Sequence, residues 1–336
     1  MISVSAPKMK RKRLKEILNN FKGLEIVVLG DLILDEYNIG KVNRISPEAP
    51  VPIVEIEHRF FVPGGAANTA ANITALGGKC KLLGVIGDDE YGIFLLEELK
   101  KRNINTQGII VDPSRPTTCK NRIIAHTQQV VRIDRESRKP IDGEVLAKVK
   151  EKIKGLATNK DIIIIASDYN KGFFHPEVAQ LLVEIGRQTD SLLIVDPKPQ
   201  NISLFKGAFL LCPNEKEARY AVGDATESLP IDEVGMKLLR QFEVKGVLIT
   251  MGERGMCLYK EDEKIHIPAL ATEVHDVTGA GDTVMASLAL SLKAGTSLRE
   301  AMEVASIAAA VVVRKLGTAQ PTPKEMLELV DQLQQE

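Results

Sequence analysis

Apolar residues along this chain fall into short unbroken runs separated by stretches with helical spacing. Leu24 to Leu29 reads LEIVVL, Cys80 to Ile86 reads CKLLGVI, and Asp161 to Ala166 reads DIIIIA. Leu192 to Asp196 (LLIVD) and Val247 to Thr250 (VLIT) have the same character. Runs with so little polar alternation suit strands covered on both faces, as in a parallel sheet flanked by helices. Between them, Ala66 to Leu76, Tyr91 to Lys101, Glu144 to Lys154 and Pro176 to Arg187 read as helical crossovers. Ala280 to Lys293 and Leu298 to Lys315 predict closely packed Ala-rich helices. Leu14, Ile17, Leu18 and Phe21 fall on one helical face and predict an amphipathic first helix.

Two segments break the rhythm. Asn38 to Val62 contains VPIVEIEHRFFV after a proline-containing turn, and Gln107 to Asp134 contains GIIVD, TTCKNRIIA and QQVVRID with no helix between them. Alternation without crossovers indicates antiparallel strands. Both segments leave the core and return to it, so they predict a small antiparallel β lid, about 38–62 and 107–134, over an α/β core. The whole chain, 1–336, reads as one domain, without internal repeats or long linkers.

Composition narrows the function classes. The chain has 336 residues, 44% hydrophobic and 26% charged, with a formal net charge of −1. That balance gives no reason to expect nucleic acid or an anionic membrane as partner. No apolar run approaches the ~18 residues of a membrane span, and no apolar segment follows the basic N-terminus as in a secretory signal. The basic cluster Lys8 to Arg13 reads as a solvated helix face. The four cysteines, Cys80, Cys119, Cys212 and Cys257, form no close pair, which suits a reducing, cytoplasmic setting. The five histidines are scattered and suggest no zinc site. Tryptophan is absent and aromatics are 4%, which argues against a stacking platform for single strands.

The chemistry concentrates in His275-Asp276-Val277-Thr278-Gly279-Ala280-Gly281-Asp282-Thr283, which runs into a helix. Glycines at a helix entry expose backbone N–H groups to an anion, and the helix dipole adds positive potential. A carboxylate among phosphate-binding amides makes sense if Asp282 takes a proton from an attacking hydroxyl while the amides of Gly279, Ala280 and Gly281 hold the transferring group. Such base help is worth ~10²–10⁴ in rate. Alone, the segment reads more readily as a Gly-rich turn with an ordinary first-turn aspartate.

D-x-T-G-A-G-D resembles the C-terminal signature of the ribokinase (PfkB) family of carbohydrate kinases. Gly64-Gly65-Ala66-Ala67-Asn68 through Leu76-Gly77-Gly78, followed by Val85-Ile86-Gly87-Asp88-Asp89, resembles its N-terminal signature. The resemblance covers nearly the whole chain and implies a ribokinase-like fold, ATP and Mg²⁺ as requirements, room for a monovalent cation, and a homodimer through the lid. Gly30 to Asp35 (GDLILD), Arg44 to Pro52 (RISPEAPVP), Ser167 to Gly172 (SDYNKG), Val195 to Pro199 (VDPKP) and Lys315 to Ala319 (KLGTA) are similar to the kinase half of bacterial ADP-heptose synthases. That subgroup phosphorylates D-glycero-D-manno-heptose 7-phosphate at its anomeric hydroxyl, on the route to ADP-heptose for lipopolysaccharide.

The resemblance assigns roles residue by residue. Asp31, Asp35, Gly64, Gly65 and Asn68 would form the sugar site. Arg44, Lys171 and Lys198 are candidates for the sugar's phosphate. Asn214, Glu215, Lys216 and Glu217 match the family's N-x-x-E motif, in which Glu217 and Asn214 serve Mg²⁺ through water. Asn214 and Glu217 also read, without the family, as a helix cap and its partner three residues on. Thr250, Gly252 and Gly255 would hold the ATP phosphates, and Ser306, Ala309 and Val313 would touch adenine or belong to the core.

Other readings fit less well. No G-x-x-x-x-G-K-[ST] is present, and GDLILD lacks the dinucleotide fingerprint. Another sugar, sugar-phosphate or nucleoside kinase of the same family is the main alternative. A non-catalytic sugar-binding regulator would be expected to lose the base or the GAG turn, and both are present. The second domain of the bifunctional heptose enzyme carries an H-x-G-H type motif. None occurs in this sequence, so adenylyl transfer is expected from another protein.

Overall fold

The computed structural model describes residues 9–126, 128–158, 161–270 and 273–335. Lys8, part of the basic N-terminal cluster, lies outside them. The elements in chain order are α1 (Arg11–Asn20), β1 (Glu25–Gly30), β2 (Leu32–Ile45), β3 (Pro52–Gly65), α2 (Ala66–Ala75), β4 (Lys79–Ile86), α3 (Glu90–Lys101) and β5 (Ile109–Val111). They continue with β6 (Thr118–Ala125), β7 (Gln128–Arg135), α4 (Gly143–Lys154), β8 (Ile163–Ser167), α5 (Pro176–Gln188), β9 (Leu192–Asp196) and β10 (Leu210–Leu211). The rest are α6 (Glu215–Ala221), α7 (Ile231–Gln241), β11 (Gly246–Thr250), β12 (Met256–Tyr259), β13 (Lys264–Ile267), α8 (Ala280–Lys293), α9 (Leu298–Val312) and α10 (Pro323–Gln335).

Nine strands form one sheet in the order β13-β12-β11-β10-β9-β8-β1-β4-β5. From β11 to β5 every pair is parallel, and only the β11–β12 and β12–β13 pairs at one edge are antiparallel. The apolar runs predict this arrangement because each strand feeds both faces. Ile26 and Val28 of β1 join a core with α2, α8, α9 and α10, while Val27 and Leu29 join a second core with α4, α5 and α7. The helices begin where the sequence supplies caps. Asp89 accepts from the Gly92 amide at α3, and Ser297 and Glu300 cap α9 reciprocally.

The chain runs outward from β1 to β4 and β5 and then returns to β8 on the other side of β1. This reversal of strand order opens a crevice at the carboxyl ends of β1 and β8, the place where open α/β sheets bind ligands.

The lid is a second sheet, β3-β2-β6-β7. Each hairpin is antiparallel, as expected, but the two hairpins join through a parallel β2–β6 pair. Both leave the core in the same direction, so their first strands align head to head. GIIVD, expected in the lid, belongs instead to the core, where β5 pairs in parallel with β4. Three residues flanked by turns carry too little pattern to tell the two sheets apart. The lid also begins earlier than expected, at Leu32, because β2 is one continuous strand of 14 residues.

β1 and β8 meet most tightly at Gly30, which pairs with Ser167 and has φ +156°. A Cβ there would run into the Ser167 carbonyl. Gly30→Ala is therefore expected to cost about 2–6 kcal/mol, summing backbone strain of roughly 1–3 kcal/mol and overpacking of similar size. Urea unfolding measures this, and an unchanged midpoint would refute the close β1–β8 approach.

Candidate active site

α8 starts at Gly279, whose φ of +80° is left-handed and whose missing Cβ leaves room for Asn68: a Cβ would lie 2.6 Å from Asn68 Nδ2. Ala280 and Gly281 form the first turn, and Asp282 follows at its third position, 2% exposed. Small residues let α2 pack close beside α8, with Ala66, Ala67, Ala70 and Ala71 of α2 all in the same core as Ala286 and Ala289. This approach carries the polar residues of α2 to the start of α8.

The Asp282 carboxylate receives three side-chain hydrogen bonds. Asn68 Nδ2 donates to Oδ2 at 2.8 Å, Thr69 Oγ1 to Oδ1 at 3.1 Å, and the Tyr169 hydroxyl to Oδ1 at 2.9 Å. Asn68 is itself oriented, since its Oδ1 accepts from Gln320 at 3.0 Å and from Asn72 at 3.2 Å. Burial pushes the Asp282 carboxyl up to about 6, against the pull of its three donors, and Asp35 adds to the rise. A carboxyl tuned this way ionises near neutral pH and remains basic enough to accept a proton.

Asp31 follows β1 and is 4% exposed. Its carboxylate accepts from the main-chain amides of Tyr169 (2.8 Å), Lys171 (3.1 Å) and Phe173 (3.1 Å). Burial, helped by Asp168, raises it to about 6 despite these bonds. Its first task is thus to hold the loop after β8, where a sugar-hydroxyl acceptor was expected. Asp168 holds the same loop from the other side, accepting from the amides of Asn170 and Lys198 and from Asn201. Together they fix Tyr169 over the Asp282 carboxylate. Tyr169 lay inside the quoted SDYNKG run, yet nothing in the sequence marked it as a partner of Asp282.

Asp35 lies in the lid strand β2, bonded to Arg122 at 2.6 Å and lying against Gly64. Gly65 ends β3, beside the Asp31 carbonyl. Of the cations expected to meet a sugar phosphate, Lys171 pairs with Glu136 at 2.5 Å and Lys198 pairs with Glu217. Arg44 sits exposed near the far end of β2, nine residues beyond Asp35. At ~3.3 Å per residue that is about 25–30 Å along the strand, so this chain does not bring Arg44 to Asp282. Two further cations that the sequence reading did not single out, Lys120 and Arg122, lie on β6: Arg122 bonds Asp35, and Lys120 Nζ sits 5.3 Å from the Tyr169 ring.

The residues expected to hold the nucleotide follow β10 and β11. Asn214 and Thr250 are bridged as neighbours, and Thr250 N donates to the Pro213 carbonyl at 3.1 Å. Asn214 caps α6 in a reciprocal box with Glu217, both bonds at 3.0 Å, so the cap reading holds in the structure. Glu215 pairs with Arg219 and Arg254, while Lys216 is exposed. Gly252 and Gly255 bound a tight turn after β11, and space beside Gly252 is open. Burial alone would lower Lys198, but Asp196 and Glu217 carry it above its ordinary value. Ser306 is buried and bonded to the Pro268 carbonyl at 3.4 Å, while Val313 caps α9, which ends earlier than expected.

Among the described residues no group of three or more His, Cys, Asp or Glu side chains is arranged to hold a metal. A Glu217 already engaged by Lys198 and the Asn214 amide suits an ion held chiefly through water and phosphates, as Mg²⁺ commonly is. Among the described residues no helix is long and apolar enough to cross a membrane.

The chain matches the pfkB family of carbohydrate kinases over residues 24–325. It is 40% identical over 325 residues to the bifunctional protein HldE of Pelobacter propionicus, covering 96% of this chain and 66% of that protein. The HldE of Helicobacter hepaticus is 40% identical over 310 residues, covering 92% and 64%. The chain thus spans about two thirds of the length of these relatives. Among solved structures, phosphofructokinase-2 of Escherichia coli in complex with potassium superposes with a TM-score of 0.76 at 18% identity, covering 93% of this chain and 99% of that one. Ribokinase of Thermotoga maritima gives 0.69 at 24% identity, covering 93% and 100%. This chain belongs to the pfkB family of carbohydrate kinases, phosphotransferases that act on a sugar hydroxyl.

Proposed function

We propose that this chain transfers the γ-phosphoryl group of ATP to the anomeric hydroxyl of D-glycero-D-manno-heptose 7-phosphate, giving the 1,7-bisphosphate on the way to ADP-heptose. The observation that carries the reading is the buried Asp282, gathered with Asn68, Thr69 and Tyr169 at the first turn of α8. The similarity to HldE proteins and the GDLILD, RISPEAPVP and SDYNKG segments support the heptose phosphate over other sugars.

The acceptor lies between lid and core, its reacting hydroxyl in reach of Asp282 and its ring against Asp35, Gly65 and Asn68. The nucleotide lies along Asn214, Thr250 and the Gly252–Gly255 turn. Asp282 takes the proton as the hydroxyl oxygen bonds to phosphorus and the bond to the leaving ADP oxygen breaks. The amides of Gly279, Ala280 and Gly281 face the charge that develops, aided by the α8 dipole. Mg²⁺, when bound, neutralises phosphate charge, with Glu217 and Asn214 orienting its waters. Closure of the lid limits the access of water to the phosphoryl group. A monovalent cation, a homodimer through the lid and a cytoplasmic location complete the proposal. A domain unit of 1–336 with the lid built into it is part of the same reading.

ADP release coupled to an indicator, with the heptose phosphate beside fructose 6-phosphate and ribose, tests the substrate. Preferred turnover of the heptose phosphate is expected, and turnover of another sugar alone would overturn the substrate while keeping the kinase. Asp282→Asn is expected to lower kcat by roughly 10²–10⁴ with ATP binding retained. Near-normal turnover would remove Asp282 as base. Because the Asp282 carboxyl titrates at about 6, its ionised fraction falls as pH falls through that value. The rate should then drop about tenfold per pH unit on the acid side. This limb should vanish from the residual activity of Asp282→Asn. A limb that persists there belongs to another group, with Asp31, also at about 6, the first to examine.

A further inference from the structure

Charge pairing around the lid–core cleft is almost complete. Arg122 bonds Asp35 at 2.6 Å, Arg132 makes two bonds to Asp134 at 2.8 and 2.9 Å, Lys171 meets Glu136 at 2.5 Å, and Lys198 meets Glu217. Arg59 is likewise taken by Glu36 at 2.7 Å. Among the described residues Lys120 is the exception: no carboxylate lies within ion-pair distance of its ammonium group.

Its position is well defined. Lys120 lies on β6, in register with Asp35 on β2 and with Asp134 on β7. Its Nζ reaches across to the core and sits 5.3 Å from the centre of the Tyr169 ring, the tyrosine whose hydroxyl donates to Asp282. Burial lowers the ammonium below its ordinary value. Asp35 opposes this, while Lys171, Arg122 and Arg132 push it further down. A half-buried cation crowded by three others is a costly arrangement in a free protein. An anion entering the cleft would relieve it.

We propose that Lys120 recognises the phosphate monoester of the acceptor sugar and so sets the preference for a phosphorylated substrate. This rests on the reading of the chain as a sugar-phosphate kinase. The acceptor's own phosphate is the anion favoured over the γ-phosphoryl group of ATP, because Lys120 belongs to the lid beside Asp35. The cation nearest the nucleotide motif is Lys198, which Glu217 already engages. Lys171, Lys198 and Arg44, the cations a sequence reading selects, are two paired ones and a distant one.

The test compares the heptose 7-phosphate with the same heptose lacking the phosphate, using the full chain. In Lys120→Gln the KM for the phosphorylated sugar should rise roughly 10–100-fold, the size of a lost charge-assisted hydrogen bond. The KM for the unphosphorylated sugar should stay within about twofold of its starting value, by the same reasoning. Lys120→Arg should restore most of the preference, which a purely packing role would not require. Lys120→Met, which keeps the aliphatic stem over Tyr169, carries the comparison if the glutamine variant melts early. Unchanged discrimination in both Gln and Met variants would overturn the inference while the wild-type activity upholds the substrate reading. An equal loss on both sugars, or a loss in kcat alone, would also overturn it and assign Lys120 to the transferring phosphoryl group. If the wild type shows no preference for the phosphorylated sugar, the substrate reading itself fails and Lys120 falls with it.

Discussion

The burial of one carboxylate organises the molecule. Asp282 is 2% exposed at the start of α8, and an unsolvated charge there would cost several kcal/mol without compensation. Compensation comes from Asn68, Thr69 and Tyr169, and from the helix dipole. These donors reach Asp282 only if α2 and α8 lie close together. That requirement accounts for the alanines along α2 and for a glycine at residue 279, where a side chain would displace Asn68. A second layer follows, because Asn68 is useful only while Gln320 and Asn72 fix its amide.

The same logic explains why two buried aspartates with similar titration have different tasks. Asp31 and Asp282 are both pushed up to about 6 by burial. Asp31 satisfies three main-chain amides of one loop, so moving it would release Tyr169, Lys171 and Phe173 together. Asp282 is bonded by side chains alone, and one of them, Tyr169, is only half-buried. A hydroxyl that enters can share or replace that bond without unravelling a loop. Bracing by Asp31 and chemistry at Asp282 are therefore coupled through the position of a single tyrosine.

Much of this was legible in the sequence, for identifiable reasons. β1, β4, β8, β9 and β11 were visible because strands covered on both faces leave near-continuous apolar runs. β10, with two residues, and the β12–β13 hairpin, with four-residue strands, leave no such trace. The parallel β2–β6 pairing depends on where two distant hairpins emerge from the core, which no local pattern encodes. At the site, the GAGD turn became readable only together with the Gly64-Gly65 segment, since glycines at a helix entry also serve ordinary turns. Asn214 and Glu217 supported both a cap and a ligand reading, and the structure realises the cap without preventing water-mediated service to an ion. The cations were the hardest part. A sequence counts lysines and arginines but not which of them already has a carboxylate, so Lys171 and Lys198 stood out while Lys120 did not.

The sheet order also separates the two substrates. The residues proposed for the nucleotide follow β10 and β11, whereas β1 leads directly into the lid proposed to cover the acceptor. β8 and β9 lie between, and the loop after β8 carries Tyr169 to Asp282. On the proposed reading the transferred group crosses above these central strands, where the first turn of α8 presents its amides. That geometry belongs to the fold and is indifferent to which sugar arrives. On that reading discrimination falls to the lid, the part of the molecule whose charges would face the acceptor. With Asp35, Asp134 and Glu136 each satisfied by a cation, the lid's pairing leaves positive charge over at Lys120, and a neutral sugar would leave it uncompensated.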